Sequence, residues 1–280
     1  MVKISTSAIK SAVTEMFSDL CSVIDDDVLC SMKNAKSSSP LESFALGIMI
    51  QNAELAKETH SAVCQDTGMA VVFVEIGQDV ILTGEYLEDA INSGVSDAYI
   101  PFRKSVLTPL SRQNTLNNAP AVIHTKIVVG DKVKVSCMAK GFGSENMSRV
   151  YMLTPADGVK GIIDKTVETV KQAGGCPCPP IIIGIGIGGT MEKAAIMSKH
   201  ALFRPLNSEN NNGALAILES EILESVNALN IGAQGFGGNL TALKVLIETY
   251  PTHIAGLPLA ITIQCHCSRH AERTLEGKND

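Results

Sequence analysis

The feature that most constrains the fold is the run Gly184-Ile185-Gly186-Ile187-Gly188-Gly189, which overlaps the end of an apolar segment at 180–185. A buried strand that leads through glycines into a helix near Thr190 is typical of α/β proteins, in which helices cover a sheet. The surrounding uncharged stretch, Gln172 to Met191, contains six glycines and three prolines, which exclude a membrane-spanning helix there. We therefore predict an α/β fold.

Apolar periodicity along the rest of the chain predicts one α/β unit, in which a mixed β-sheet is surrounded by helices and preceded by an N-terminal helical layer. We expect a single domain over residues 1–280, with a helical part at about 1–62 and an α/β part at about 63–280. The main predicted elements are a helix from the capping box Ser39-Pro40-Leu41-Glu42 to about His60, a strand over Met69–Ile76, a hairpin of Ala121–Val129 and Lys132–Ala139 about Gly130-Asp131, helices over Gly213–Ala228 and Thr241–Glu248, and a strand over Leu259–Gln264.

Composition and charge exclude several partners. The chain has 23 basic and 29 acidic residues, so it lacks the basic field that holds a phosphate backbone. Aromatic residues make up 4% and tryptophan is absent, which argues against a base-stacking surface. The N-terminal residues lack the pattern of a secretory signal. We therefore expect a cytoplasmic protein that binds neither nucleic acid nor a membrane.

The glycine run also matches the dinucleotide-binding pattern, so an NAD enzyme is one interpretation. That interpretation requires a second strand after the helix and an acidic residue about 20 positions on. Here Phe203-Arg204-Pro205 leads instead into a polar, Asn-rich loop. The amides of the turn and the N-terminus of the following helix can equally hold another anion. The pattern is too loose to favour NAD.

Eight cysteines remain as candidates for chemistry, because a reducing compartment leaves them as thiols, core residues or metal ligands. Cys64, Cys178 and Cys265 lie where strands or helices give way to loops, at spacings that fit neither a zinc finger nor a ferredoxin. For any single cysteine without further context, the core interpretation is the simpler one. It is assigned to Cys21, Cys30 and Cys137.

Four segments follow one another along the chain. They are Cys64-Gln65-Asp66-Thr67-Gly68; Lys140-Gly141-Phe142-Gly143-Ser144-Glu145-Asn146; Cys178-Pro179-Pro180 running into Gly184–Gly189; and Pro251-Thr252-His253 followed by Leu257-Pro258 and Cys265. Together they closely resemble the iron–sulfur hydro-lyases, namely class I fumarate hydratase and L-tartrate dehydratase. The resemblance covers most of the chain beyond the first helices. Within this family, the chain resembles the separate alpha subunit of the two-subunit form.

The resemblance implies a four-iron four-sulfur (4Fe-4S) cluster bound by Cys64, Cys178 and Cys265. Three thiolates leave one iron without a protein ligand, and such an open iron can act as a Lewis acid. Cys176 and Cys267 each lie two residues from a proposed ligand and are kept as alternative ligands. A non-catalytic or redox-sensing cluster protein is a separate hypothesis, which needs neither an open iron nor a substrate-binding arginine.

The resemblance also implies an active site. Asp66 and His253 would be catalytic, with Asp66 holding or moving a proton; the alternatives are an Asx-turn residue and a structural histidine. Arg103 would bind a substrate carboxylate through its planar guanidinium, unless it is a surface arginine. Phe142 departs from the family pattern, because many relatives have a third glycine there. The full set of implied substrate-binding residues is Gln65, Arg103, Gly141 and Gly143.

The implied reaction is the reversible hydration of fumarate to (S)-malate, a step of the tricarboxylic acid cycle. Dehydration of L-tartrate to oxaloacetate is the alternative, and either substrate is a small dicarboxylate. By the same resemblance, the base that removes the carbon-bound proton would come from a separate beta subunit, together with further carboxylate-binding residues. We therefore expect a hetero-oligomer such as an alpha2beta2 assembly.

Overall fold

The computed structural model describes residues 2–277 and confirms an α/β fold with mixed sheets. The helices are α1 (Thr6–Leu20), α2 (Asp26–Asn34), α3 (Pro40–Thr59), α4 (Leu87–Ala98), α5 (Phe142–Glu145), α6 (Gly158–Ala173), α7 (Met191–His200) and α8 (Gly213–Asn227). The strands are β1 (Val2–Ser5), β2 (Met69–Gly77), β3 (Val80–Thr83), β4 (Val122–Val128), β5 (Lys132–Lys140), β6 (Arg149–Leu153), β7 (Ile181–Gly188), β8 (Ala242–Tyr250), β9 (Leu257–Gln264) and β10 (His270–Glu276).

The chain folds into two compact units. Within the described residues, the first unit comprises 2–24, 53–141 and 269–277, and the second comprises 25–52 and 142–268. Several predicted elements are confirmed, including the helix that begins at Pro40, the strand that begins at Met69 and the strand that ends at Gln264. No helix within residues 2–277 combines the length and the apolar character needed to cross a membrane.

The first unit is built on a four-stranded sheet in the order β10-β5-β2-β4. β5 pairs antiparallel with β10 and with β2, whereas β2 and β4 are parallel. Helices α1 and α4 pack together, and α1 also contacts β5 and β10. Their apolar residues form one core with the strands, and its members include Ile9, Val13, Phe17, Val72, Val74, Ile91, Val133 and Val135. A parallel pair of short strands, β1 and β3, adjoins this core.

The predicted hairpin of β4 and β5 is wrong, because β2 lies between the two strands. Their connection passes over the end of β2 at Gly77, where a Cβ atom would lie 2.4 Å from the carbonyl oxygen of Gly130. Asp79 donates a backbone hydrogen bond to the same carbonyl (3.0 Å). Turn residues identify a change of direction, but they do not identify the strand that fills the space between the two arms.

The second unit is built on a four-stranded sheet in the order β6-β9-β7-β8. β9 pairs antiparallel with β6 and β7, whereas β7 and β8 are parallel. Helices α6 and α8 join the core on one side of this sheet. The core residues include Ile162, Val170, Ile181, Ile183, Ile185, Leu218, Ile222, Val245, Ile247, Ile261 and Ile263.

Two glycines of β7 explain how α7 lies on this strand. A Cβ atom at Gly184 would lie 2.0 Å from the carbonyl oxygen of Ser198, and one at Gly186 would lie 2.1 Å from that of Ala194. The backbone of α7 therefore lies directly on the backbone of β7, an approach that any side chain would block. These glycines are explained by helix packing, without a nucleotide.

The predicted helix over Thr241–Glu248 is wrong, because residues 242–248 belong to β8. Val245, Leu246 and Ile247 are all buried, as in a strand that is covered on both faces. A short run of consecutive apolar residues has no clear period, so its sequence does not distinguish a buried strand from a buried helix.

Candidate functional site

The predicted site residues divide between the two units. The first unit contains Cys64, Gln65, Asp66, Arg103 and Gly141. The second unit contains Gly143, Cys178, His253 and Cys265.

The Cys64 loop connects α3 to β2 and turns back on itself. The backbone N–H of Asp66 donates to the Cys64 Sγ (3.4 Å), and the Asp66 Oδ1 accepts the N–H of Gly68 (2.9 Å). Gly68 has a φ of +82°, and a Cβ atom there would lie 2.8 Å from the carbonyl carbon of Ala139. Asp66 is therefore an Asx-turn residue through one carboxylate oxygen, while its other oxygen lies on the side of Gly141.

Hydrogen bonds join the Arg103 segment to this loop. The Thr67 hydroxyl donates to the carbonyl oxygen of Arg103 (2.7 Å). The buried Asn118 accepts from the N–H of Ser105 (2.7 Å) and donates to the carbonyl oxygen of Gly68 (3.1 Å). The structure thus brings the backbone of Arg103 to the loop that carries Cys64 and Asp66, while the Arg103 side chain is exposed. The sequence gives no signal for Thr67 and Asn118 in this role.

Gly141 lies beside Asp66 and two buried cationic residues. A Cβ atom at Gly141 would lie 3.3 Å from the Asp66 Oδ2 and 3.7 Å from an Nη atom of Arg269. Lys140 donates from Nζ to the carbonyl oxygen of Gly141 (3.3 Å), and both Lys140 and Arg269 are 1% exposed. Cations so deeply buried are rare. Sequence reasoning missed Arg269 entirely, because nothing in its local pattern marks it as buried.

In the second unit, a histidine joins the two loops that carry predicted cluster ligands. His266 directly follows Cys265 in the sequence. Its ring Nδ1 donates a hydrogen bond to the carbonyl oxygen of Cys178 (2.9 Å). Cys178 has a φ of +53°, a left-handed conformation that is uncommon for a residue other than glycine. The structure therefore brings the Cys178 and Cys265 segments together.

Gly143 lies in α5, close to the segment that precedes Cys178. A Cβ atom at Gly143 would lie 3.5 Å from the carbonyl oxygen of Cys176, an ordinary contact distance. Phe142, the departure from the family pattern, is 45% exposed and therefore does not fill the core of this unit.

His253 is exposed in the loop before β9. Its Nδ1 accepts a hydrogen bond from the N–H of Ala255 (3.2 Å). The ring lines a cavity of about 400 Å³ whose other walls are largely apolar, including Val159, Ile162 and Leu257. None of the other predicted site residues of the second unit lines this cavity.

Two predicted core cysteines are confirmed and one is wrong. Burial raises the pKa of the Cys21 thiol to about 11, although the Arg269 charge opposes the shift, and burial also raises the pKa of Cys137. Cys30 is exposed on α2, because that helix turns Val28 and Met32 inward instead.

The proposed ligands have surroundings that suit an iron–sulfur cluster. Cys178 is exposed, and Cys64 and Cys265 are half-buried, so none of the three residues lies sealed in a core. The N–H donated to the Cys64 Sγ is a kind of hydrogen bond that tunes such clusters. Among the alternatives, Cys267 is buried and Cys176 is exposed.

The ligand set draws on both units and therefore remains a prediction. Over residues 2–277, no three His, Cys, Asp or Glu side chains group together as ligands of a metal ion. The donor set fits the cluster by its chemistry, since iron–sulfur clusters are held by cysteine thiolates.

Comparison with known proteins identifies the family. The family described as fumarate hydratase (Fumerase) matches residues 10–274. A putative L(+)-tartrate dehydratase subunit alpha of Methanocaldococcus jannaschii is 39% identical over 279 residues, which cover 96% of this chain and 98% of that protein. The L(+)-tartrate dehydratase subunit alpha of Escherichia coli (strain K12) is 29% identical over 283 residues, which cover 95% and 93%. The chain therefore belongs to the fumarate hydratase (Fumerase) family of hydro-lyases.

Proposed function

We propose that this chain is the alpha subunit of an iron–sulfur hydro-lyase that catalyses the reversible hydration of fumarate to (S)-malate together with a beta subunit. The observation that carries the proposal is the loop of the first unit that places Cys64 beside Asp66 and holds the backbone of Arg103. This loop carries a thiol and a carboxylate, and it is hydrogen-bonded to the segment that carries Arg103.

The proposed cofactor is a 4Fe-4S cluster with Cys64, Cys178 and Cys265 as ligands. When bound, it supplies an iron without a protein ligand, which acts as a Lewis acid on an oxygen of the substrate. The residues of this chain then have three tasks: to hold the ligands, to orient the dicarboxylate and to handle a proton.

Asp66 is the proposed proton-handling residue of the first unit. The N–H of Gly68 fixes one carboxylate oxygen, so the orientation of the whole group is set. The other oxygen lies near the Cα side of Gly141, where the absence of a side chain leaves room for a substrate. A carboxylate fixed in this way is suited to accept or return a proton.

His253 is the proposed catalytic residue of the second unit. Because its Nδ1 accepts the N–H of Ala255, the neutral imidazole carries its proton on Nε2. That N–H can donate a hydrogen bond to the hydroxyl oxygen of the substrate.

Arg103, Gln65, Gly141 and Gly143 are proposed to bind the substrate. The hydrogen bond from Thr67 anchors the backbone of Arg103, while the side chain is exposed. A guanidinium placed in this way can bind one carboxylate through two parallel hydrogen bonds. The exposed side chain of Gln65 can add a further hydrogen bond from the same loop.

L(+)-tartrate is the second candidate substrate, because the two relatives described above are named as tartrate dehydratase subunits. Malate, the substrate of the reverse reaction, differs from tartrate by one hydroxyl, and that group permits a sharp test. A site built to bind the second hydroxyl rejects malate by about 10⁴-fold, whereas a malate site rejects tartrate by only about 10²-fold. The ratio of kcat/KM for malate to kcat/KM for tartrate, measured with the co-expressed beta subunit, distinguishes the two candidates. Turnover of neither substrate by a cluster-loaded complex would overturn the hydro-lyase assignment of this chain.

A separate beta subunit is the proposed partner, supported by the alpha-subunit names of the relatives. It would supply the base that removes the carbon-bound proton and further carboxylate-binding groups. An alpha2beta2 assembly and a cytoplasmic location complete the proposal. If the purified chain alone is as active as the co-expressed pair, the beta subunit has no catalytic part.

Cluster ligation is tested by anaerobic reconstitution with iron and sulfide. We expect about four irons per chain, as in a complete cubane cluster. Cys64→Ser, Cys178→Ser and Cys265→Ser should each lose most of the bound iron, whereas Cys30→Ser, which changes an exposed thiol on α2, should not. Cys176→Ser and Cys267→Ser test the alternative ligands. Full iron content in the Cys64→Ser protein would contradict the ligand assignment.

A further inference from the structure

We propose that Gln234 and His266 are positioning residues that hold the Cys178 loop in the conformation required for cluster binding. This inference rests on the proposed function, since the role of the two residues is to place a cluster ligand. All the contacts involved lie within the second unit.

His266 holds the carbonyl group of the ligand residue itself. Its Nδ1 lies 2.9 Å from the carbonyl oxygen of Cys178. A carbonyl oxygen only accepts hydrogen bonds, so the proton resides on Nδ1. Because His266 follows Cys265 directly, this single hydrogen bond fixes one ligand segment against the other.

Gln234 holds the next carbonyl group along the chain. Its backbone N–H donates to the carbonyl oxygen of Pro179 (2.7 Å), and its side-chain Nε2 lies 3.3 Å from the same oxygen. The Nε2 atom also lies 3.4 Å from the His266 Nδ1. Two consecutive carbonyl groups, those of Cys178 and Pro179, are thus held by residues from two separate segments.

The backbone on both sides of this contact is strained. Cys178 has a φ of +53° and Gln234 has a φ of +55°. A left-handed conformation is unfavourable for a residue other than glycine, and it persists only where the surroundings enforce it. The hydrogen bonds of His266 and Gln234 supply that enforcement at Cys178.

A buried carboxylate anchors the turn that carries Gln234. Glu42 is 0% exposed and accepts hydrogen bonds from the N–H groups of Leu240 (2.8 Å) and Ser38 (2.9 Å). A Cβ atom at Gly238 would lie 2.3 Å from this carboxylate, and one at Gly232 would lie 2.3 Å from Gly237. The turn is therefore tightly packed from Gly232 to Gly238, and Gln234 projects from it onto the Cys178 loop.

The experiment compares His266→Phe with His266→Asn in the full chain. Phenylalanine keeps the ring but cannot donate, whereas the asparagine side-chain amide lies near the position of the imidazole Nδ1 and can donate. Gln234→Gly removes the second side chain and tolerates the positive φ. His60→Asn is the matched control, because His60 is exposed and also has a positive φ (52°), which asparagine tolerates.

Two measurements are made on each protein. The first is the rate of cluster loss in air, followed by the EPR signal of the three-iron form and by iron content. The second is the rate at which iodoacetamide alkylates Cys178 in the metal-free protein, followed by peptide mass spectrometry. Thermal melting of the metal-free proteins separates a positioning effect from general unfolding.

We expect His266→Phe to lose its cluster about tenfold faster than the wild type, which is the lower end of the range for residues that orient metal ligands. His266→Asn should restore most of the stability, and Gln234→Gly should give a smaller acceleration. The alkylation rate of Cys178 should change in His266→Phe and return towards the wild-type value in His266→Asn. His60→Asn should match the wild type in both measurements.

The outcomes separate this inference from the proposed function. If the wild type takes up no cluster but Cys178 alkylation still depends on residue 266, the cluster assignment fails and the positioning role remains. If His266→Phe matches the wild type in both cluster loss and alkylation, the positioning role is overturned, whatever the cluster assignment. If His266→Phe and His266→Asn lower the melting temperature equally and neither retains the cluster, the role is general stability and the inference also fails.

Discussion

The two units build their sheets with the same order of pairings but hold their site loops by different means. In both sheets, two antiparallel pairs are followed by one parallel pair. In the first unit, side chains such as Thr67 and Asn118 fasten the loops. In the second unit, the side chain of His266 and the glycine-rich turn that carries Gln234 hold the Cys178 loop, and backbone amides such as that of Leu240 bind Glu42 to hold this turn. The second arrangement leaves less room for any added atom.

Among these variants, Gly186→Ala should have the largest effect on the free energy of unfolding. Its new methyl group would lie 2.1 Å from a backbone carbonyl oxygen of α7, which cannot move without the helix. We expect the free energy of unfolding to fall by about 3 kcal/mol, the upper part of the usual range for overpacking. Urea denaturation measures this loss. Gly213→Ala is the control, because a Cβ atom there meets nothing within 4 Å, and an equal loss in both variants would contradict the packing explanation.

Glu42→Gln should have the next largest effect. Burial alone would raise the pKa of the Glu42 carboxyl, but hydrogen bonds from Ser38, Leu240, Ser37 and Ala233 outweigh it and hold the pKa below its ordinary value of 4.5. The amide of glutamine accepts fewer hydrogen bonds and carries no charge. We expect a loss of about 2 kcal/mol at neutral pH, since hydrogen bonds to charged groups are the stronger ones.

The pH dependence of this loss provides its control. Because the folded-state pKa is lowered, the contribution of Glu42 is fully present above about pH 4.5 and is lost as the pH falls through the folded-state value. The difference between wild type and Glu42→Gln in urea denaturation should therefore shrink in acid. A difference that stays constant to low pH would show that the charge of Glu42 is not involved.

Thr67→Val tests the side-chain fastening of the first unit. It removes the hydrogen bond to the carbonyl oxygen of Arg103 but keeps the shape of the side chain. We expect a loss of about 1 kcal/mol in unfolding free energy, and a higher KM for the dicarboxylate because Arg103 is less well held. Thr125→Val, an exposed change on β4, should alter neither quantity. An unchanged KM in Thr67→Val would separate this hydrogen bond from substrate binding.

Gly47→Ala should have the smallest effect and the opposite sign. Gly47 lies within α3, and a Cβ atom there would meet nothing within 4 Å. Alanine is favoured over glycine in a helix by about 1 kcal/mol or less, so the variant should be slightly more stable in urea. A loss of stability would show that another surface closely approaches α3 in solution.

Local patterns predicted the elements whose determinants are local. The capping box at Ser39 is an example, because the Ser39 hydroxyl does accept the N–H of Glu42 (3.1 Å). The Glu42 carboxylate, however, binds distant amides such as that of Leu240, and no spacing rule contains such a contact. The same limit applies to β8, whose strand conformation depends on its pairing with β7.

The candidate site was predictable as a set of motifs but not as an arrangement. Cys64, Asp66 and Cys178 stand in recognisable segments, whereas Asn118 and His266 act through hydrogen bonds to backbone groups that are distant in sequence. Arg269 illustrates the difference, since its 1% exposure results from the packing of the first unit and not from its neighbours in sequence.

The order of the strands along the chain has a consequence for folding during synthesis. The sheet of the first unit takes its edge strand from β10, which follows every strand of the second unit. During synthesis, one edge of β5 therefore stays unpaired until residues 142–268 have been made and β10 follows. An unpaired strand edge can pair with the wrong strand and lead to misassembly. The second unit, by contrast, has all four strands of its sheet once β9 emerges. We expect nascent chains to acquire protease resistance in the second unit first, and the first unit to need chaperone protection for longest.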